Sequence, residues 1–254
     1  PPPPFQAEDG IRDTSHCLVG SEMCIRDSMI GPRRGFGHVA MPPHNLTLTV
    51  AGAGMLWVGW FGFNAGSAVA ADGSAAMAML VTHLSASSGA LAWMAMEWLR
   101  HGKPSMLGTV TGMVAGLGTI TPASGSVGPA AAVVIGLTAG VVCYFATGYL
   151  KNKLRVDDSL DVFPVHGVGG ILGTIMAGIF VSAGFGGAGY AEGMNMGSQV
   201  GVQLTGVIAT FVFTAVVTFV ILKLVDALLG LRVTDEEETE GLDINQHDER
   251  GYIL

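Results

Sequence analysis

The sequence predicts an all-α polytopic membrane protein with six membrane-spanning helices. Three observations carry this. The first is composition: 50% of the 254 residues are hydrophobic and only 13% charged, with a mean hydropathy of +0.51, too apolar for an ordinary soluble domain. The second is six apolar stretches in series, each long enough for the roughly 20 residues a spanning helix needs and almost free of charge. A buried soluble core explains any one such stretch, but not six in a row. The third is glycine and methionine usage, 38 and 13 residues, because helices in lipid approach one another through small side chains rather than by expelling water.

Residues 1–28 contain neither a basic leader nor an apolar core of the secretory type. The run SHCLVGSEMCIRDS resembles translated sequencing-adapter read-through, so this segment is read as foreign and disordered, with membrane-type sequence beginning after Met29. The spans then start at about Leu46, Ala75, Pro104, Gly128, Val162 and Val200, giving a membrane domain over 29–231 and a tail over 232–254. Beyond residue 28 the cations are Arg33, Arg34, Arg100, Lys103, Lys151, Lys153, Arg155, Lys223, Arg232 and Arg250, and all fall on one side of the six crossings. The connections at 71–74, 121–129 and 184–197 hold no Lys or Arg. By the positive-inside rule the cation side is cytoplasmic, and so is the acidic tail carrying Asp235, Glu236, Glu237, Glu238 and Glu240. Pairs of glycines four apart (Gly62 and Gly66, Gly112 and Gly116, Gly136 and Gly140, Gly169 and Gly173) mark expected helix crossings. The net charge of −8 comes largely from the two ends, and a solvated tail accounts for it. Three cysteines give no paired framework and no metal set, and no cofactor is implied.

Two stretches hold chemistry. In WVGWFGFNAGSA, residues 57–68, Trp60, Phe63 and Ser67 recur on one helix face with Asn64 beside them. An aromatic face ending in a hydroxyl can hold a small cation by ring quadrupole and hydrogen bond; the same spacing also suits a packing stripe. In DDSLDVFPVHGVGGILG, residues 157–173, Asp157, Asp158 and Asp161 stand where carboxylates cap a helix N-terminus. His166 lies deeper, within the apolar run. An imidazole there offers one donor and one acceptor when neutral, which suits relaying a proton or passing a neutral hydrogen-bonding molecule, and equally suits a satisfied structural histidine. His83 lines a vestibule or bridges two helices. Glu97 and Asp226 read as snorkelling or ion-paired groups at helix ends. There is no phosphate loop, no spaced Cys/His set and no nucleophile with a paired base, so no enzyme is indicated, and nothing suggests nucleic acid.

GWFGFNAGS at 59–67, DDSLDVFPVHGVGG at 157–170 and GLRVTDEEETEGLDINQH at 230–247 resemble the ammonium transporter family, Amt/Mep/Rh, in that family's order and spacing. The resemblance runs from about Gly31 to Tyr252 and implies the C-terminal half of an eleven-helix protomer: the second of two inverted five-helix repeats plus the final helix. It implies a homotrimer, an ammonium or ammonia substrate, and possible engagement of the tail by a PII-type regulator. Carried over by residue, it places Ser67 at the external recruitment site, Phe63 at an aromatic gate, Trp60 deeper in the pore wall and His166 as one of two pore histidines. Asn64, Asp158 and Asp161 would support them. His16 stands at about the distance expected for the partner histidine, but its neighbours TSHCLVG do not resemble that helix and the role is not carried onto it.

Overall fold

A computed structural model describes residues 15–250, and those residues are helical with no strand. The helices are α1 (Ser15–Ile30), α2 (Leu46–Gly66), α3 (Gly73–His101), α4 (Met106–Ile120), α5 (Pro129–Tyr149), α6 (Gly169–Phe180), α7 (Met196–Leu229), α8 (Asp235–Glu240) and α9 (Leu242–His247). A 3-10 turn, Thr121–Ala123, extends α4; a π turn, Leu150–Leu154, extends α5; a second π turn, Phe163–Val168, leads into α6. Six helical segments are long and apolar enough to cross a membrane, and their starts fall within a few residues of those expected.

Four of the spans begin where a side chain satisfies free N–H groups of the first turn. Asn45 accepts from Leu48 N–H at 3.0 Å, Asp72 from Ser74 and Ala75 N–H, Ser105 from Gly108 N–H at 2.8 Å, and Asn195 forms a reciprocal capping box with Ser198. Asn45, part of a glycosylation-type triplet, is thus occupied as a cap. Pro129 opens α5, where the missing N–H costs nothing. Gly102, at φ 74°, closes α3 in the left-handed conformation.

The core is a tight stack of α3, α4 and α5. A Cβ on Gly89 would come within 2.5 Å of the Gly112 carbonyl oxygen, and on Gly140 within 2.5 Å of the Gly89 oxygen; one on Gly136 would run into Ser85 and Ser88. Ser85 Oγ donates to Gly116 O at 2.8 Å, a hydrogen bond from a side chain of one helix to the backbone of the next that such close approach permits. The α6 helix docks on α4 through Gly169 and Gly173 against Thr119. Three of the four glycine pairs thus mark crossings. The fourth does not: Gly62 and Gly66 have nothing within 4 Å of a notional Cβ, because α2 buries only Trp60 and Asn64. Together with α7, α2 forms the exposed flank of the bundle.

Residues 15–28, set apart in the sequence as disordered, form most of α1 here, while residues 1–14 lie outside the described residues. The helix packs beside α7 and the second π turn, with Gly20 so close to the Gly167 backbone that a Cβ on Gly20 has no room, while a Cβ on Gly167 would run into the Phe163 ring. A pair of glycines thus admits a helix at this place.

Candidate functional site: an aromatic and imidazole wall

Trp60 is the centre of the site. Only 8% of it is exposed, and its indole N–H donates to Thr121 Oγ1 at 2.8 Å while that hydroxyl donates to Leu117 O at 2.8 Å. The relay runs from α2 to the point where α4 tightens into its 3-10 turn, so the ring plane is fixed from behind. The Trp60 ring faces the His166 imidazole, centroids 6.3 Å apart and planes 21° from parallel. Phe63 meets the same indole edge-on at 6.0 Å and 86°. The structure therefore brings three residues singled out in the sequence, Phe63, Trp60 and His166, into one row.

Two of the others stand apart from that row. Ser67 lies at the exposed C-terminal end of α2 with its hydroxyl donated to Phe63 O at 2.7 Å. Asn64 turns into the α2–α3 contact, where its amide donates to Thr82 Oγ1 at 2.9 Å and is buried. Phe63 is 53% exposed, so the outer end of the row opens away from the bundle.

His166 owes its position to the π turn. The Asp158 carboxylate, itself buried, accepts from Val162 N–H at 2.9 Å and Phe163 N–H at 2.7 Å, and Pro164 follows where an N–H would have no partner. His166 lies within this π turn, where its ring stacks on Trp60, and π turns are frequent at functional positions. Gly118 leaves space beneath the ring: a Cβ there would reach ordinary contact, 3.8 Å from Nδ1.

Capping was expected of all three aspartates, and the structure corrects this for two. Asp157 takes the Arg33 guanidinium through both carboxylate oxygens at 2.8 Å, and the Arg33 N–H as well, so these donors hold its carboxyl below the usual range against the effect of burial. Asp161, left-handed at φ 57°, pairs with Lys151 at 2.6 Å, and burial pushes its carboxyl up against the pull of that lysine. Both acids are drawn off because cations from neighbouring segments reach them first. Of the two roles expected of Glu97, the ion pair is not formed among the described residues: its carboxylate accepts from Ser105 N–H at 2.6 Å, Ser105 Oγ–H at 3.0 Å and the Trp93 indole at 3.3 Å. His83 stacks on Trp57 at 5.2 Å and leans on Phe61 at 5.9 Å. Thr121 is the site residue that sequence reading passed over. Its only signal was its place at the head of a Thr-Pro-Ala turn.

Chemically, the row has the polarity of a path for something small and neutral. Two aromatic rings and an imidazole offer dispersion and one or two hydrogen bonds, while a charge at such depth costs at least about 2.5 kcal/mol. The fold and the wall define a multi-pass helical membrane protein with a laterally open, aromatic and imidazole-lined face.

The comparisons with known proteins give the class its family. The chain belongs to the Ammonium Transporter Family, whose sequence profile matches residues 26–252. A putative ammonium transporter of Methanothermobacter thermautotrophicus is 48% identical over 84% of this chain and 53% of its own length, and the ammonium transporter of Bacillus subtilis is 45% identical over 93% and 58%. Among solved structures, a sensor Amt protein superposes with a TM-score of 0.85 at 30% identity, over 95% of this chain and 60% of that one; Saccharomyces cerevisiae Mep2 gives 0.78 at 36%, over 90% and 54%. The chain spans about half the length of the curated relatives it matches.

Proposed function

We propose that this chain supplies one wall of a pore that carries ammonium-derived nitrogen across a membrane as ammonia. The row Phe63–Trp60–His166 is the observation that supports it. Ammonium is recruited near Ser67, loses its proton near Phe63, and passes as ammonia along Trp60 to His166, whose neutral imidazole meets it with one donor and one acceptor. Removing the charge before the apolar stretch avoids the penalty that a cation pays at mid-membrane. Asn64 holds the wall to α3, Asp158 holds the π turn, and Asp161 steadies its entrance through Lys151. The opposite wall, with a second histidine, comes from the first repeat of a full-length protomer, and three protomers assemble. The acidic tail lies in the cytoplasm, where a PII-type regulator can reach it.

The test is uptake by a full-length protein carrying this segment, in cells that lack their own ammonium uptake. Wild type restores growth on limiting ammonium and takes up methylammonium. His166→Ala lowers the maximal rate at least tenfold, whereas Ser67→Ala raises the half-saturating concentration and leaves the maximal rate within about twofold, since Ser67 acts before the rate-limiting path. Failure of a correctly inserted wild type to move either substrate sinks the transport reading.

A second reading, an ammonium sensor signalling through its tail, is favoured by the sensor Amt protein among its structural neighbours. It predicts saturable ammonium binding with a change at the tail and no net uptake, so the same cells decide between the two. The part of the 1–28 segment that precedes the family match, residues 1–25, we read as foreign despite the helix Ser15–Ile30. The upstream nucleotide sequence, read from an independent clone, tests that: the same 25 codons in genomic DNA would reject it.

A further inference from the structure

We propose that Thr82, on α3, is a positioning residue for the Phe63 ring and through that ring sets how large an amine the row admits. The step from ring position to substrate choice rests on the transport reading; the step from Thr82 to ring position does not.

The α2 helix carries the outer part of the row but is shallowly embedded. It buries two side chains, Trp60 and Asn64, and each is held in the same way. Trp60 donates to Thr121 Oγ1, which donates on to Leu117 O; Asn64 Nδ2 donates to Thr82 Oγ1 at 2.9 Å, which donates on to Ala78 O at 2.6 Å. In both relays the threonine's own hydrogen is committed to its helix backbone, so a lone pair is left facing α2 in a fixed direction. Thr82 is fully buried and Asn64 almost so, and no water competes for the bond between them.

Helix geometry turns the second relay into a steering device. At about 100° per residue, Asn64 stands about 40° from Trp60 around α2, and Phe63 about 60° from Trp60 in the opposite sense. With both relays in place α2 is held along two lines and cannot turn about its axis. Without the Asn64 bond Trp60 is a single pivot, and the outer turn of α2 swings on it with Phe63. Little opposes that motion, since Gly59, Gly62 and Gly66 face open space. Ser67 travels with the ring, because its hydroxyl is bonded to Phe63 O. Phe63 is half exposed, so the swing has room. A displaced ring widens the entrance, and the gain is greater for methylammonium, which is larger than ammonium by one methyl group. Thr82 thus governs the preference between the two substrates without touching either.

The experiment uses the full-length protein of the uptake assay. Fluorophenylalanine placed at position 63 reports ring position by fluorine NMR in micelles, and uptake of ammonium and methylammonium is measured in cells. Thr82→Val removes the acceptor and keeps the shape. It moves the resonance and raises kcat/KM for methylammonium relative to ammonium at least about threefold. Thr82→Ser keeps the hydroxyl and returns both readouts to the wild-type values. Asn64→Leu gives the same changes as Thr82→Val, and the double variant adds nothing further, since both substitutions break one bond. Ser87→Ala on the same helix, whose hydroxyl turns back on His83 O at 2.9 Å, changes neither readout. An unmoved resonance in Thr82→Val and Asn64→Leu, additive changes in the double variant, or an equal shift in Ser87→Ala overturns the positioning role. A moved resonance with an unchanged substrate preference overturns the specificity role. A wild type that transports neither substrate sinks the transport reading and the specificity role with it, while the resonance still decides whether Thr82 positions Phe63.

Discussion

At the scale of single residues, the site depends on groups that fix ring planes rather than on charged groups within the row. Thr121 is the clearest case. Thr121→Val leaves the buried Trp60 indole N–H without its acceptor, a loss of about 1–3 kcal/mol, while Thr121→Ser keeps the hydroxyl and restores most of it. Indole proton NMR reads this directly: the Trp60 resonance moves upfield and exchanges faster with solvent in the valine variant, and returns in the serine variant. An unmoved indole resonance in Thr121→Val would show that the hydrogen bond does not hold Trp60. Asp158 acts one step back. Asp158→Ala removes both acceptors at the start of the π turn and costs about 1–2 kcal/mol of unfolding free energy, with the His166 ring proton shifts changing as its stacking on Trp60 is lost. Neither residue was legible as a determinant of ring orientation. A threonine in a turn and an acid before a helix are common, and only their three-dimensional partners give them these roles.

Among the elements, glycine has two opposite meanings, and the structure separates them. In α5, Gly136 lies on Ser85 and Ser88 of α3, and Gly136→Ala forces the helices apart at a cost of about 1–3 kcal/mol. In α2, Gly62 faces open space, and Gly62→Ala in this chain gains up to about 1 kcal/mol from helix propensity alone. Chemical unfolding of the two variants in the same micelles should give shifts of opposite sign; a loss in Gly62→Ala matching that of Gly136→Ala would mean that α2 has a partner in the isolated chain. The spans themselves were readable because lipid tolerates no unpaired backbone, so length and hydropathy suffice. The glycine spacing was readable too, but a spacing names a helix face and not what lies across from it, which is why three pairs found crossings and Gly62 with Gly66 did not. The π turn left no trace in the sequence, since an additional residue in a turn next to Pro164 does not disturb a run that is apolar on every side.

For the molecule as a whole, segments distant in sequence are fastened together at the cation-rich side. Arg33 grips Asp157, Arg34 N–H donates to Glu238 at 2.8 Å, and Arg232 holds the same Glu238 at 2.7 Å and also reaches Ile30 O. The Arg33 clamp has a definite pH signature. Because Asp157 ionises below its usual range in the folded chain, the unfolded chain binds the extra proton first, so the stabilisation is complete above about pH 4 and disappears as pH falls through the lower folded value. The unfolding midpoints of wild type and Asp157→Asn should therefore differ at pH 7 and converge below about pH 4; a constant difference would assign the effect to packing instead of charge. The Arg34 contact has another consequence, in time. Its partners are 204 positions apart, and Glu238 lies beyond the last span. During synthesis the loop at 31–37 is made before any of the six spans and waits for a carboxylate that emerges after all of them. Closing this junction therefore follows insertion of all six spans, and a ribosome that stops before Glu238 leaves the bundle with Arg34 unfastened while Arg33 stays on Asp157, a form that a protease on that side of the membrane would cut at Arg34.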